Sequence, residues 1–379
     1  MRKNRNIILM YLIVFLQGFI FYGPVATIYR TSRGLSMYNL FLIESVYWIL
    51  MIIFEIPFGY FADYFGYKKT LIISNFLLFI SKIIFWKAYS FSSFMLERVF
   101  LSMALAGISG CDTALLYSSC DKKSSEKVLG EYSSFSTFGF LLASLMSGFI
   151  ISISLDATSF YTIFPHGAAF ILTLFIKDVP TEKTEHKMIN SFIKVLKNKN
   201  MLLLILGFSI MGEVVQSITV FLNQTQYVRS GINIRYFGII LAFAQILNMS
   251  SAKSYMISSK FGISKSIGSL ILLITVCPLV LTFTKVPMFS IIFVLLSSLC
   301  MSLIRPMVIN IENKSIILGD RATILSMYAI IGDVASALIN PLIGKGADIS
   351  IEAAFTICFA LSLIAFILFL IYKKREPLF

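Results

Sequence analysis

The stretch Glu55-Ile56-Pro57-Phe58-Gly59-Tyr60-Phe61-Ala62-Asp63-Tyr64-Phe65-Gly66-Tyr67-Lys68-Lys69 closes a long apolar run with a carboxylate, a glycine and two lysines. Such an ending is expected where a membrane helix leaves the bilayer: Gly66 permits a tight turn, and Lys68 and Lys69 suit a cytoplasmic headgroup region. Gly59 is expected to let a neighbouring helix approach closely. Asp63 is placed to cap a helix N-terminus or to meet a basic side chain.

The rest of the chain agrees with a membrane setting. Of 379 residues, 58% are hydrophobic and only 13% charged, a balance no soluble globular domain of this size shows. The net charge of +13 does not point to nucleic acid, because the basic residues lie in short loops between apolar runs. The five cysteines are scattered, mostly inside apolar segments, and read as packing residues. Basic residues at the N-terminus lead into about 22 apolar residues, too long for a signal h-region. That segment is read as the first membrane helix.

With about 20 apolar residues per span, twelve helices are expected, near 7–29, 37–61, 70–89, 91–117, 131–153, 158–176, 200–222, 233–257, 265–284, 287–309, 322–343 and 351–372. Lys and Arg then fall about three times more often on the side of the two termini, which makes that side cytoplasmic. The longest polar connection divides the chain into bundles 1–176 and 200–379, joined by a cytoplasmic linker, 177–199. The halves match at an offset of 196 residues: Ala169–Lys177 against Ala365–Lys373, Gly66 against Gly262, Lys69 against Lys265 and Gly148 against Gly344. Agreement in separate places indicates a repeat.

The spacing from Gly59 through Asp63 and Gly66 to Lys68 and Lys69 resembles the signature between helices 2 and 3 of the major facilitator superfamily. The Glu-Ile-Pro before it, and Ser109 to Tyr117 later, resemble its bacterial drug-efflux branch. The resemblance implies an all-α integral membrane fold of twelve helices in two six-helix bundles, acting as a monomer in the cell membrane with both termini in the cytoplasm. It implies proton-coupled efflux of a small amphipathic molecule by alternating access, with uptake by proton symport or a non-transporting receptor on the same fold as the alternatives, and with no cofactor, metal or nucleic acid. The residues Gly59, Asp63, Gly66, Lys68 and Lys69 would form the gating motif. The second copy of that motif has decayed, with Tyr255 and Ser259 where glycine and aspartate would map.

Ionisable residues at membrane depth are the candidates for chemistry, since each costs several kcal/mol unless paired or facing water. Glu44 and Glu55 share a helix face roughly 16 Å apart along the axis. Either could line a path, or Glu55 could brace the motif. Lys82 and Glu97 stand level in an antiparallel hairpin, which predicts an ion pair. Arg98 falls near an arginine the family links to proton coupling. Asp112 is a cavity residue or a local cap that pairs with Lys122 or Lys123.

In the second half, Glu213, Gln216, Val220 and Asn223 form a stripe on one helix, and Ser326, Asp333, Ser336 and Asn340 form one on another. Glu213 and Asp333 come out near mid-membrane. There hydrocarbon favours a neutral carboxyl, as a proton carrier requires. The alternative is that the stripes only join neighbouring helices. A serine protease built on Gly107-Ile108-Ser109-Gly110 and His166 is excluded by depth, because a base must lie within ~3 Å of its nucleophile. No Walker loop, dinucleotide fingerprint or H-E-x-x-H occurs.

Overall fold

The computed structural model describes residues 4–121, 124–180, 198–315 and 321–375, the last without the side chains of 321–323. Within them every regular element is a helix. The first span is broken into α1 (Arg5–Gln17) and α2 (Ala26–Ser32). Then follow α3 (Met37–Phe65), α4 (Tyr67–Lys87), α5 (Phe91–Ser118), α6 (Ser125–Ile151) and α7 (Leu155–Thr173). The second half holds α8 (Lys199–Arg229), α9 (Ile234–Phe261), α10 (Ile263–Phe283), α11 (Pro287–Lys314), α12 (Arg321–Ile349) and α13 (Ile351–Arg375). Ten helices among the described residues are long and apolar enough to cross a membrane. With the broken first span and the shorter α7, they make up the twelve expected. Of the linker 177–199, only its ends are described.

Helix starts follow the local sequence. The Asn4 side chain accepts from the Asn6 amide at 3.1 Å, Ser154 from Ala157 at 3.0 Å and Asn198 from Met201 at 3.1 Å, each satisfying an N–H that the first turn leaves open. Ser90 and Ser93 cap α5 reciprocally. Gly66 and Gly262 begin α4 and α10 with φ of 88° and 81°, in the left-handed region that glycine enters without a Cβ penalty. Gly59 departs from expectation: a Cβ there would meet nothing within 4 Å, so it admits no close neighbour in this structure.

The chain forms two compact units. The first comprises Met1–Leu35, Val46–Thr184 and Ile234–Ala242, and the second Ser36–Ser45, Glu185–Asn233 and Phe243–Phe379. Each unit thus takes in one segment from the far side of the linker, the first turns of α3 in one case and of α9 in the other.

The core of each unit carries the repeat in register. Leu71, Ala169 and Ile176 are buried in the first and Ile267, Ala365 and Tyr372 in the second, all 196 residues apart. Burying such side chains stabilises a soluble core by about 1.5–3 kcal/mol each. Between membrane helices, with lipid as the alternative neighbour, close packing has to supply the difference.

The exchanged segments dock on glycines that are also repeat mates. In the second unit a Cβ on Gly344 would meet Phe41 Cβ at 2.8 Å and Tyr38 Cα at 3.0 Å. In the first, a Cβ on Gly148 would meet the Arg235 carbonyl oxygen at 2.5 Å. These approaches are possible only without a side chain.

Candidate functional site

Helix α8 is α-helical from Lys199 to Gln216, takes a π turn over Ser217–Leu222 and resumes as α-helix from Asn223. A π turn inserts a residue into the helical register and is frequent at functional sites. It breaks the stripe expected from the sequence: Val220 is exposed, whereas Phe221 is buried and packs on Phe41 with ring centroids 4.9 Å apart.

Glu213 precedes the turn by one helical repeat, about 21 Å along the axis from the start of α8, and is 2% exposed. Ser336 and Asn340 of α12 lie against its carboxyl group, and Glu44 and Asp333 are the charged groups within electrostatic reach. No basic group among the described residues acts on it. One turn along α8, Gln216 Nε2 donates to Glu44 Oε1 at 3.2 Å.

All these residues belong to the second unit, Glu44 through the first turns of α3. The structure therefore gathers Glu44, Glu213, Gln216 and Asp333 from the sequence candidates, with Ser336 and Asn340 from the second stripe. Glu213 Oε1, Ser217 Oγ and both amide atoms of Asn340 are buried and close no hydrogen bond. Polar groups held in that way cost free energy.

The other candidates lie elsewhere. Glu55 is exposed, and on the same helix Glu44 is buried. Asp63 is half-buried within electrostatic reach of Cys111. The helix N-terminus it is placed to cap would be the start of α12 at 320–323, which lies outside the described residues or side chains. Lys68 is half-buried, and Lys69 is exposed with Nζ 6.0 Å from the Phe65 ring centroid.

Asp112 sits where Gly110, with φ of 80°, breaks α5. Its carboxylate accepts from the Thr113 amide at 2.6 Å and from Tyr132 Oη at 3.0 Å. Both contacts hold it at the first turn of the helix that Gly110 restarts, and Tyr132 is a partner the sequence did not indicate. Lys122 and Lys123 lie outside the described residues.

Lys82 and Glu97 do not pair as expected. Lys82 Nζ donates to Tyr22 Oη at 3.2 Å, and Glu97 has the Arg98 Nε at 3.7 Å. Standing level in a hairpin fixes depth but not which way a side chain turns. Arg98 also stands over Tyr47, 5.4 Å from the ring centroid. Arg30 was missed: it reads as a charge at a helix end, yet it is 4% exposed and covers Phe85 at 5.2 Å and Phe94 at 5.9 Å. His166 Nδ1 meets the Thr162 carbonyl at 2.9 Å, an intrahelical contact. Among the described residues no cluster of three or more His, Cys, Asp or Glu is arranged to hold a metal.

The chain belongs to the Major Facilitator Superfamily, whose family model matches residues 7–340. Solved structures share the fold at low identity. The crystal structure of a mutant of the nucleoside transporter NupG superposes with a TM-score of 0.85 at 13% identity, covering 97% of this chain and 100% of that one. A POT family transporter in complex with 5-aminolevulinic acid gives 0.78 at 15%, covering 99% and 96%. A bacterial homolog of the human lysosomal transporter Spinster, inward-facing and occupied, gives 0.74 at 15%, covering 98% and 96%. A search of the curated proteins finds no match.

Proposed function

We propose that the protein is a secondary active transporter of the cell membrane that exports a small amphipathic molecule by alternating access in exchange for protons. Glu213 is the first candidate for the coupling group and Asp333 the second. The two six-helix halves, 1–176 and 200–379, joined by the cytoplasmic linker 177–199, rock against each other, and both termini face the cytoplasm. The protein works as a monomer without a cofactor. The neighbouring structures are of transporters with different ligands, so none of these transfers to this chain.

The observation that carries the reading is the burial of Glu213 in mid-helix, among a hydroxyl, an amide and two carboxylates, with no basic group acting on it. A fixed ion pair would hold a carboxylate charged through the whole cycle. One without a cationic neighbour can take up a proton on one side and release it on the other, and crossing neutral avoids several kcal/mol of charge burial. Efflux rests on the Glu-Ile-Pro and Ala-Leu-Leu-Tyr resemblances, and symport is the competing direction.

The test is uptake into proteoliposomes under an imposed pH gradient, using a solute chosen by its thermal shift on the purified protein. Antiport accumulates solute against the proton flow and symport along it. The amide variant Glu213→Gln is expected to lose accumulation while keeping downhill exchange. If Glu213→Gln and Asp333→Asn both keep full accumulation, the assignment is wrong, and Glu55, Glu44, Arg98 and Asp112 come next.

A further inference from the structure

The Asn340 carboxamide is 0% exposed, and neither its nitrogen nor its oxygen closes a hydrogen bond. The Glu213 carboxyl group on the facing helix lies within reach of this amide, but neither amide atom meets it with the distance and angle of a closed hydrogen bond. Beside it stands the Glu213 carboxyl group with Oε1 unbonded, and one turn further along α8 the buried Ser217 Oγ, also unbonded, at the start of the π turn. Leaving such groups unmatched costs free energy, a cost commonly met where a site is shaped for something else.

The pattern restricts what that something is. A bare cation would satisfy Asn340 Oδ1 and Glu213 Oε1 but leave the Nδ2 hydrogens unmatched. An anion would meet Nδ2 and be repelled by Glu213, Glu44 and Asp333. A primary carboxamide presents a donor and an acceptor side by side in one plane, and its complement is an acceptor and a donor in the same arrangement. That is the cis-amide edge of a lactam or cyclic imide. A further ligand N–H would serve Glu213.

We propose that Asn340, with Glu213 and Ser217, is the recognition site for a small uncharged ring bearing a cis-amide edge. The proposal deepens the transporter reading by naming the substrate class. Because the amide is closed off in this conformation, the ligand enters when the helices around it part, as alternating access requires.

The test uses the full chain in nanodiscs with succinimide and uracil as probes. Their N-methylated forms, N-methylsuccinimide and 1,3-dimethyluracil, lack the N–H of the edge. Tetraethylammonium and succinate stand for a cation and an anion. Succinimide or uracil should raise Tm and the methylated forms should not.

In Asn340→Leu the ligand-free protein should be as stable as the wild type or more so, with binding at least about tenfold weaker, the loss of one hydrogen bond. Should that variant fold poorly, Asn340→Ala removes the amide edge without adding bulk, and it should weaken binding to a similar degree. The proposal is overturned if methylated and unmethylated probes bind alike, if only tetraethylammonium or succinate shifts Tm, or if neither ring binds the wild type. Uracil bound through Asn340 but never carried across proteoliposomes would sink the transporter reading and leave the recognition site standing. Carriage of another solute untouched by Asn340→Leu would do the reverse.

Discussion

Arg33 donates through Nη2 to Asp156 Oδ1 at 2.6 Å, tying the end of the first span to the start of α7. Adding 196 to each number gives Arg229 and Glu352, and these pair as well, Nη2 to Oε1 at 2.8 Å. The two units therefore close the same joint with the same chemistry, although the acid has changed its length. The arginines also serve nearby backbone, Arg33 the Ala88 carbonyl at 2.8 Å and Arg229 the Thr282 carbonyl at 3.4 Å. Arg33 in addition covers the Tyr89 ring at 3.7 Å.

These pairs predict unequal losses. Asp156 and Glu352 are half exposed, so replacing either with alanine should cost no more than about 1 kcal/mol. Removing Arg33 also breaks a backbone hydrogen bond and a ring contact, and should cost about 1–2 kcal/mol more. Denaturation of the purified single variants in detergent checks the order. Equal losses for Arg33→Ala and Asp156→Ala would mean that the ion pair alone matters.

Gly66 and Gly262 supply a second paired prediction. Each turns the chain at positive φ, so alanine at either position should cost roughly 1–2 kcal/mol through backbone strain alone. A Cβ at Gly262 meets nothing within 4 Å, so strain and not crowding sets the cost there. The sites lie in different units, so the double variant should lose close to the sum. A double variant no worse than the weaker single one would show that the two units unfold separately instead of in one cooperative transition.

The docking of α3 on the second unit gives a third. Valine at Gly344 would collide with Phe41 and with the Tyr38 backbone, an overpacking worth about 1–3 kcal/mol. Tyr38 N, which donates to Asp348 Oδ1 at 3.1 Å, should be released with it. Cysteine introduced at Tyr38 should then react faster with a membrane-impermeant maleimide, and Gly344→Ala should do the same more weakly. Unchanged labelling in Gly344→Val would show that the contact yields without moving the segment.

How much of this could be read from the sequence depends on which physical signal each feature leaves. Span number and the two glycine turns were legible, because hydrocarbon thickness sets a length and positive φ selects a residue. The offset was legible through Ala169, Ala365, Gly148 and Gly344, which must stay small where helices touch. Its ion pairs were not, since Arg33 and Arg229 look like ordinary interfacial charges until Asp156 and Glu352 are placed against them. Helical spacing put Glu213 and Asn340 on polar stripes, but it assumes a constant 3.6 residues per turn, and the π turn at Ser217 breaks that assumption. Lys82 and Glu97 failed for a related reason, because depth is a one-dimensional coordinate and pairing needs rotation as well. The apolar packing of Arg30 left no sequence signal at all.

Asp112 sharpens the division between charges that carry transport and charges that hold structure. Its two oxygens already accept from the Thr113 amide and from Tyr132 Oη, at the first turn of the short helix that Gly110 restarts. A carboxylate at a helix N-terminus is favoured by the exposed amides there, and losing such a cap costs about 0.5–2 kcal/mol. Asp112→Asn keeps an acceptor for the amide and should cost near the lower end, while Asp112→Ala should approach the upper end. Tyr132→Phe removes one hydrogen bond and should cost about 1 kcal/mol. In each case the loss should appear as a lower Tm, with gradient-driven accumulation per folded molecule unchanged. Glu213→Gln should do the opposite, leaving Tm unchanged or raised and abolishing accumulation. If Asp112→Asn keeps its Tm but no longer accumulates solute against the gradient, the cap assignment is wrong, and Asp112 belongs to the proton path.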